Sequence, residues 1–375
     1  MQAKEENPDF LKKQIITYLG NKRKIITHID DVVSDIRADI GRDLVTLDLF
    51  SGSGIVARAL KKHSAISIAN DLEGYTLTAN KCFLTDYDKD MLTHVSTIAD
   101  NLSTEYAMGA RTYNGFISKM YAPKDDKDVQ LGERCFYTTD NAQRIDFFRS
   151  EIEKLPEDEK TLLLAPLLAE SSVHTNTVGI FKSFLKDRNT KIGSFGGTTK
   201  AALSRICSPI LLQPPVRSVF TSEVMFFQED AIALSQSDKM PEIDVAYIDP
   251  PYNQHSYGSN YFMLNVINEY VRPENVSKVS GIPADWNRSD FYVKSRALES
   301  LETIVSNLNA RYIILSFSSD GFFEFNELEN MMGKYGHLEM KDVVYTRYRT
   351  PRAKKDSSGK VETKNTERLF ILKKR

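Results

Sequence analysis

Leu44-Val45-Thr46-Leu47-Asp48-Leu49-Phe50 runs directly into Ser51-Gly52-Ser53-Gly54, and Ile55 to Lys62 follows with helix-forming character. A nearly continuous apolar run that stops at a turn of small residues is the mark of a strand buried on both faces. Strand, glycine turn and helix in that order open a βαβ unit, whose strands lie parallel. Working outward, Ala65 to Ala69 is a second short strand that ends at Asn70-Asp71. Ile243 to Ile248 is a third, ending at Asp249-Pro250-Pro251-Tyr252, and Arg311 to Phe317 is a fourth, followed by Ser318-Ser319-Asp320-Gly321. Asp342 to Arg347 and Arg368 to Leu372 close the chain as an expected hairpin at the sheet edge, joined by the polar, basic loop Pro351 to Thr366. The expected fold class is α/β, and its polar strand ends are where open sheets of this kind bind ligands.

With 375 residues, 41% hydrophobic and 27% charged, the chain can bury one large core or two modest ones. Cys82, Cys135 and Cys207 are far apart and form no CxxC pair, which argues against a zinc site or a disulfide scaffold and fits a cytoplasmic setting. Met1 to Asp9 has no apolar signal core, and the longest apolar stretch, Leu162 to Ala169, is interrupted by Pro166 and too short for a bilayer. No membrane partner and no metal are expected. The net charge of -2 advertises no polyanionic partner, but the charge is unevenly placed. His174 to Arg217 holds seven Lys/Arg against one Asp, and Lys341 to Arg375 holds twelve Lys/Arg against four Asp/Glu. Each run alone reads equally well as a solvated face. Together they make the footprint of a nucleic-acid binder. The region from Thr104 to Ser218 lacks the strand–turn–helix rhythm; within it Glu151 to Lys160 reads as an acidic helix, and the glycines and Phe181, Phe184 and Phe195 suggest a loop-rich DNA-contacting surface.

Asp249-Pro250-Pro251-Tyr252 carries the clearest chemistry. Two prolines fix the backbone and remove two N–H donors, leaving outward carbonyl acceptors beside a carboxylate and an aromatic ring. Such a corner suits a planar ring bearing an NH2 group; the bland alternative is a rigid turn ending a strand. The small residues of Asp48 to Gly54 let a ligand approach the backbone, and the following helix start favours a carboxylate, although the third glycine of the dinucleotide pattern is missing. Asp71, about twenty residues on, is placed to bind ribose hydroxyls or simply to cap a helix. Tyr18-Leu19-Gly20-Asn21-Lys22 reads as a turn able to close over a cofactor and pair with its carboxylate, or as an ordinary turn before a helix. Asp230, after the apolar run Val224 to Phe227, is a candidate acceptor for a cofactor amine.

Taken in order, these five elements resemble the adenine-specific DNA methyltransferases of restriction–modification systems, in the alpha arrangement that places target recognition between the cofactor-binding and catalytic parts. Ser316 to Gly321 resembles a later motif of that family, with Phe317 where a tyrosine is frequent. The resemblance implies a Rossmann-like class I methyltransferase fold: a mostly parallel seven-stranded sheet with a terminal antiparallel hairpin and an inserted target-recognition domain. It implies a cofactor-binding part over residues 10–103, target recognition over 104–218 and a catalytic part over 219–375. Tyr18, Lys22, Asp48 and Phe50 would help hold S-adenosylmethionine, with Gly52 and Gly54 around its methionine part, Asp71 on the ribose and Asp230 on the adenine. Asp249, Pro250 and Tyr252 would be catalytic, acting on the N6 amine of an adenine flipped out of double-stranded DNA. Arg188, Asn189 and Arg205 are among the candidate base readers, and a cognate restriction endonuclease would act separately. The rival readings are an amino-methylase for cytosine N4 or RNA, where Ser or Asn is favoured in place of Asp249, and a catalytically silent DNA-binding subunit.

Overall fold

The computed structural model describes residues 4–109, 115–346 and 364–375. Seven strands form one sheet: β1 (Leu44–Asp48), β2 (Ser64–Asn70), β3 (Glu223–Phe227), β4 (Ile243–Ile248), β5 (Ala310–Ser318), β6 (Gly336–Thr346) and β7 (Lys364–Lys374). Their order is β3-β2-β1-β4-β5-β7-β6. The first five are parallel, while β7 runs antiparallel to both β5 and β6. This is the expected mixed α/β architecture.

Side-chain alternation explains why the middles of β4 and β5, Val245 to Ile248 and Tyr312 to Leu315, are apolar. Val245, Tyr247, Tyr312 and Ile314 pack on one face under the helices Ile26–Ile40 and Ile55–Leu60. Ala246, Ile248, Ile313 and Leu315 pack on the other, under Lys294–Asn307 and Phe325–Met332. A strand covered on both faces has no polar side to show. After β1 the chain moves outward to β2 and β3; it then returns to β4 on the opposite side of β1. The crevice between the C-terminal ends of β1 and β4 is therefore the topological switch point, where open sheets of this class hold their ligands.

A third core forms among helices, one of which, Gly74–Leu84, packs against β2 and β3. The helices Gly74–Leu84, Thr139–Ile152, Glu157–Val173 and Phe262–Glu269 bury Tyr75, Phe83, Phe147, Leu163, Leu167 and Met263 in one cluster. The helix Lys89–Ala107 runs through the 103/104 division. The central region thus shares its packing with segments before and after it.

Several local expectations change. Glu151 to Lys160 is not one acidic helix: Thr139–Ile152 ends there, and Glu157–Val173 starts after Pro156. Pro156 at the N-cap and Glu157, Asp158 and Glu159 in the first turn are the physical signature of a helix start, where acids face the positive end of the dipole. The apolar Leu162 to Ala169 is the buried heart of that helix, with Pro166 inside it. β6 begins at Gly336, ahead of the expected Asp342, because His337 to Lys341 alternates polar and apolar residues as an edge strand does. Phe181, Phe184 and Phe195 do not contact DNA from a surface: they are buried in the third core. Arg205 is likewise occupied, donating to the carbonyls of Val173, Thr175 and Thr177. Arg188 and Asn189 stay exposed, at the tip of a small hairpin closed by Asp187 N–H to Ile192 O at 2.9 Å. Most of the expected basic loop, Pro351 to Thr366, lies outside the described residues.

Candidate active site

The switch-point crevice opens into a cleft of about 820 Å³ including its mouth. Five of its walls come from segments singled out in the sequence: Tyr18 to Lys22, Asp48 to Ser53, Asn70 to Glu73, Glu229 to Ala231, and Asp249 with Pro251.

The glycine turn is held open by bonds to its neighbours. Ser51 N–H donates to Asn70 O at 3.0 Å and Gly54 N–H to Ser51 O at 2.7 Å. Gly52 N–H donates to Asp71 Oδ2 at 2.8 Å, and Thr76 Oγ1 donates to Gly52 O at 3.0 Å. Gly52 has φ +48°, and an added Cβ would come within 3.1 Å of the Tyr18 ring. Gly54, with φ +74°, shapes the base of the turn and does not line the cleft.

Asp71 is committed through Gly52 N–H and, at 3.0 Å, Glu73 N–H; burial still raises its carboxyl above the ordinary range. Glu73, unforeseen in the sequence, is pushed up to about 7 by burial and the Asp71 charge. Its Oε2 accepts from Asn265 at 2.5 Å and Asn287 at 3.2 Å, which ties the tip of β2 to the segment that follows Tyr252. Asp48 lines the cleft but is buried, accepting from Ala57 N–H at 2.9 Å; burial first, then the Asp249 charge, raise its carboxyl well above normal. Asp230 caps the helix Ala231–Ser235 through Ile232 and Ala233 N–H, and it stays exposed at the cleft edge.

Aromatic rings form two more walls. Phe50 meets Phe291 edge-on at 5.2 Å, and Tyr292 lies beside them. Tyr18 stacks on Tyr257 at 4.8 Å and on Tyr261 at 4.5 Å, both at 11°. Leu19 N–H donates to the Tyr261 hydroxyl at 2.7 Å, fixing the turn of residues 18 to 22 over the cleft. Tyr257, Phe291 and Tyr292 were missed because none belongs to a motif with a spacing of its own; only the aromatic density of the segment marked them.

The proline corner stands at the C-terminal end of β4. Asp249 keeps 18% of its side chain exposed and lines the cleft, whereas Pro250 is buried behind it. Tyr252 lies behind the cleft wall with its ring edge-on to Phe317 at 5.9 Å. Its hydroxyl lies against Gly20, where a Cβ would come within 2.8 Å. The structure thus brings together Tyr18, Lys22, Asp48, Phe50, Gly52, Asp71, Asp230 and Asp249 around one cleft, with Pro250, Tyr252 and Gly54 directly behind.

Lys22 departs from expectation. Its ammonium, 5% exposed, lies 2.9 Å from Asp249 Oδ1 and 2.8 Å from Glu367 Oε1. It serves the proline corner and is not left to meet a cofactor carboxylate. Burial pulls its pKa down, but Asp249 and Glu367 outweigh burial and hold it well above the ordinary lysine value.

Comparison with known proteins agrees with this geometry. M.CviAII, a type II methyltransferase of Paramecium bursaria Chlorella virus 1, is 30% identical over 87% of this chain and 90% of its own. M.NlaIII, a type II methyltransferase of Neisseria lactamica, is 28% identical over 96% of this chain and 99% of its own. The modification methylase StsI of Streptococcus sanguinis is 26% identical over 90% of this chain but only 50% of its own length. Residues 18–332, which hold the glycine turn, the tip of β2 and the proline corner, match the profile of one family, and the chain belongs to it: the D12 class N6 adenine-specific DNA methyltransferases.

Proposed function

We propose that the chain transfers a methyl group from S-adenosylmethionine to the N6 amine of an adenine within a specific double-stranded DNA sequence. The observation that carries this reading is that Asp249 and Pro251 of the proline corner line the same cleft as Ser51, Gly52 and Ser53 of the glycine turn. Donor and acceptor sites then lie in one crevice, at the switch point of the sheet.

The cleft fits the cofactor in its chemistry. Gly52, which tolerates no Cβ without moving Tyr18, would admit the methionine part; Asp71 would accept from ribose hydroxyls; Asp230 and the Phe50–Phe291 pair flank room for an adenine. When bound, S-adenosylmethionine supplies a methyl sulfonium, an electrophile that needs no enzyme-bound intermediate. Asp249 and the Pro250 carbonyl would accept hydrogen bonds from the target amine, localise its lone pair and stabilise the positive charge that develops on nitrogen. The rest of the rate comes from holding amine and methyl in line. Since the amine is stacked within duplex DNA, the base must be extruded at a cost of a few kcal/mol. Tyr252 would supply the stacking face, and exposed cations such as Arg188 and Lys191 would supply phosphate contacts. The setting is the cytoplasm, with any restriction endonuclease of the same specificity acting separately. Among the described residues, no helix is long and apolar enough to cross a membrane.

Nuclease digestion of DNA methylated by the protein, followed by chromatography of the nucleosides, tests the assignment. N6-methyladenine is expected; N4-methylcytosine, or no modified base with S-adenosylmethionine bound, would overturn it. A finer check lies in Gly52→Ala. The left-handed backbone and the 3.1 Å approach to Tyr18 should weaken S-adenosylmethionine binding by about tenfold in a calorimetric titration, leaving the melting temperature within a few degrees.

A further inference from the structure

Glu367 belongs to none of the motifs above, yet it is 1% exposed in β7 and lies at the base of the proline corner. Its Oε1 accepts from Ser316 Oγ at 2.6 Å and pairs with Lys22 at 2.8 Å, and its Oε2 accepts from the Tyr345 hydroxyl at 3.3 Å. Lys22 in turn reaches Asp249 Oδ1 at 2.9 Å. One ammonium is therefore shared by two carboxylates. An isolated buried carboxylate is expensive unless it is paired, and a structural ion pair would need only one of the two.

We infer that Glu367 is a positioning residue for Asp249, acting through Lys22 to fix the aspartate's orientation and to keep the corner's net charge negative. The inference deepens the proposed methyl transfer and rests on it. Lys22 alone would hold Asp249 ionised but would cancel the negative charge that the amine must meet. With Glu367 on the far side of the ammonium, the trio sums to one negative charge. Glu367 also anchors Lys22 from a strand paired on both sides, so the lysine is held away from the cleft. The other groups that face Asp249 are the phenols Tyr247, Tyr252 and Tyr257 and the buried carboxyl of Asp48; Tyr345 approaches from β6. Lys22 is thus the cation in direct contact with it.

The pH dependence of single-turnover methylation reads this arrangement. Burial pushes the Asp249 carboxyl up to about 7; Lys22 pulls it down and Glu367 pushes it up. The rate should therefore fall on acidification through neutrality, as the acceptor is protonated. Glu367→Gln keeps acceptors for Ser316 and Lys22 but removes the like charge, so the acid limb should move down by about one pH unit. Lys22→Met should move the limb up. The double variant Lys22→Met/Glu367→Gln, which strands no charge, should fall between them and remains available should either single variant fail to fold. Glu367→Ala should lose more rate than Glu367→Gln. A limb that stays in place in Glu367→Gln and in the double variant, whatever the rate, makes Glu367 structural and overturns the inference. Asp249→Ala in parallel separates the two levels. If that variant still methylates, the catalytic reading itself fails; if it is inactive while the limb is unmoved by Glu367→Gln, only the positioning role fails.

Discussion

Asp249→Ala is expected to slow methyl transfer by about 10²–10³-fold, the usual loss when one preorganised charge-stabilising group is removed. The expectation rests on the position of the carboxylate at the cleft and on its charge. Among the described residues, the acids nearest to it cannot take its place: Asp48 is buried and bonded to Ala57 N–H, and Glu367 is 1% exposed behind Lys22. The substitution should be gentle on the fold. Lys22 keeps Glu367 as its partner, so no ammonium is stranded, and Pro250 and Pro251 keep the turn. S-adenosylmethionine affinity should stay within a few-fold, because the glycine turn and Asp71 are untouched. Transfer of labelled methyl in a single turnover, with a cofactor titration on the same sample, measures both. Retained turnover removes Asp249 from the chemistry; a parallel loss of cofactor binding reassigns it to the cofactor.

Much of this architecture is legible in the sequence for a simple reason. β1, β2, β4 and β5 are buried on both faces, so they read as short apolar runs, and their polar ends fall where ligands bind. β3 showed itself only as the apolar run before Asp230, and β6 was half concealed because an edge strand alternates and mimics a polar loop. The boundary at Pro156 was missed because charge on either side suggested one continuous acidic helix; the proline and the acids after it were the signal. Local spacing also located Gly52, Asp71 and Asp249. It could not disclose Glu367, whose partners Lys22, Ser316 and Tyr345 are brought to it only by sheet order. A pairing created by topology leaves no trace in spacing. The same holds for Phe181, Phe184 and Phe195, whose place among basic residues suggested a surface until the third core enclosed them.

Lys22→Met should be the most damaging change at this site for stability. Removing one partner of a buried ion pair typically costs about 3–5 kcal/mol, because the charge left behind is neither solvated nor paired. Here two carboxylates would be left, Asp249 at 18% exposure and Glu367 at 1%. Ser316 and Tyr345 still donate to Glu367, but neither reaches Asp249 Oδ1 in place of the ammonium. The pH dependence identifies the cause. The Asp249 carboxyl is already raised to about 7 in the folded protein, and loss of Lys22 raises it further, while in the unfolded chain it lies near 4. A group whose folded pKa is raised binds its proton more tightly when folded. Acidification therefore favours the folded state, and the penalty is largest above the folded pKa. The gap in melting temperature between wild type and Lys22→Met should be widest on the alkaline side of neutrality and should narrow as pH falls through about 7, the folded pKa of Asp249 in the wild type. A lysine that merely packed its methylene stem in the corner would give a gap independent of pH, and the buried charge trio would then have no part in holding the site together.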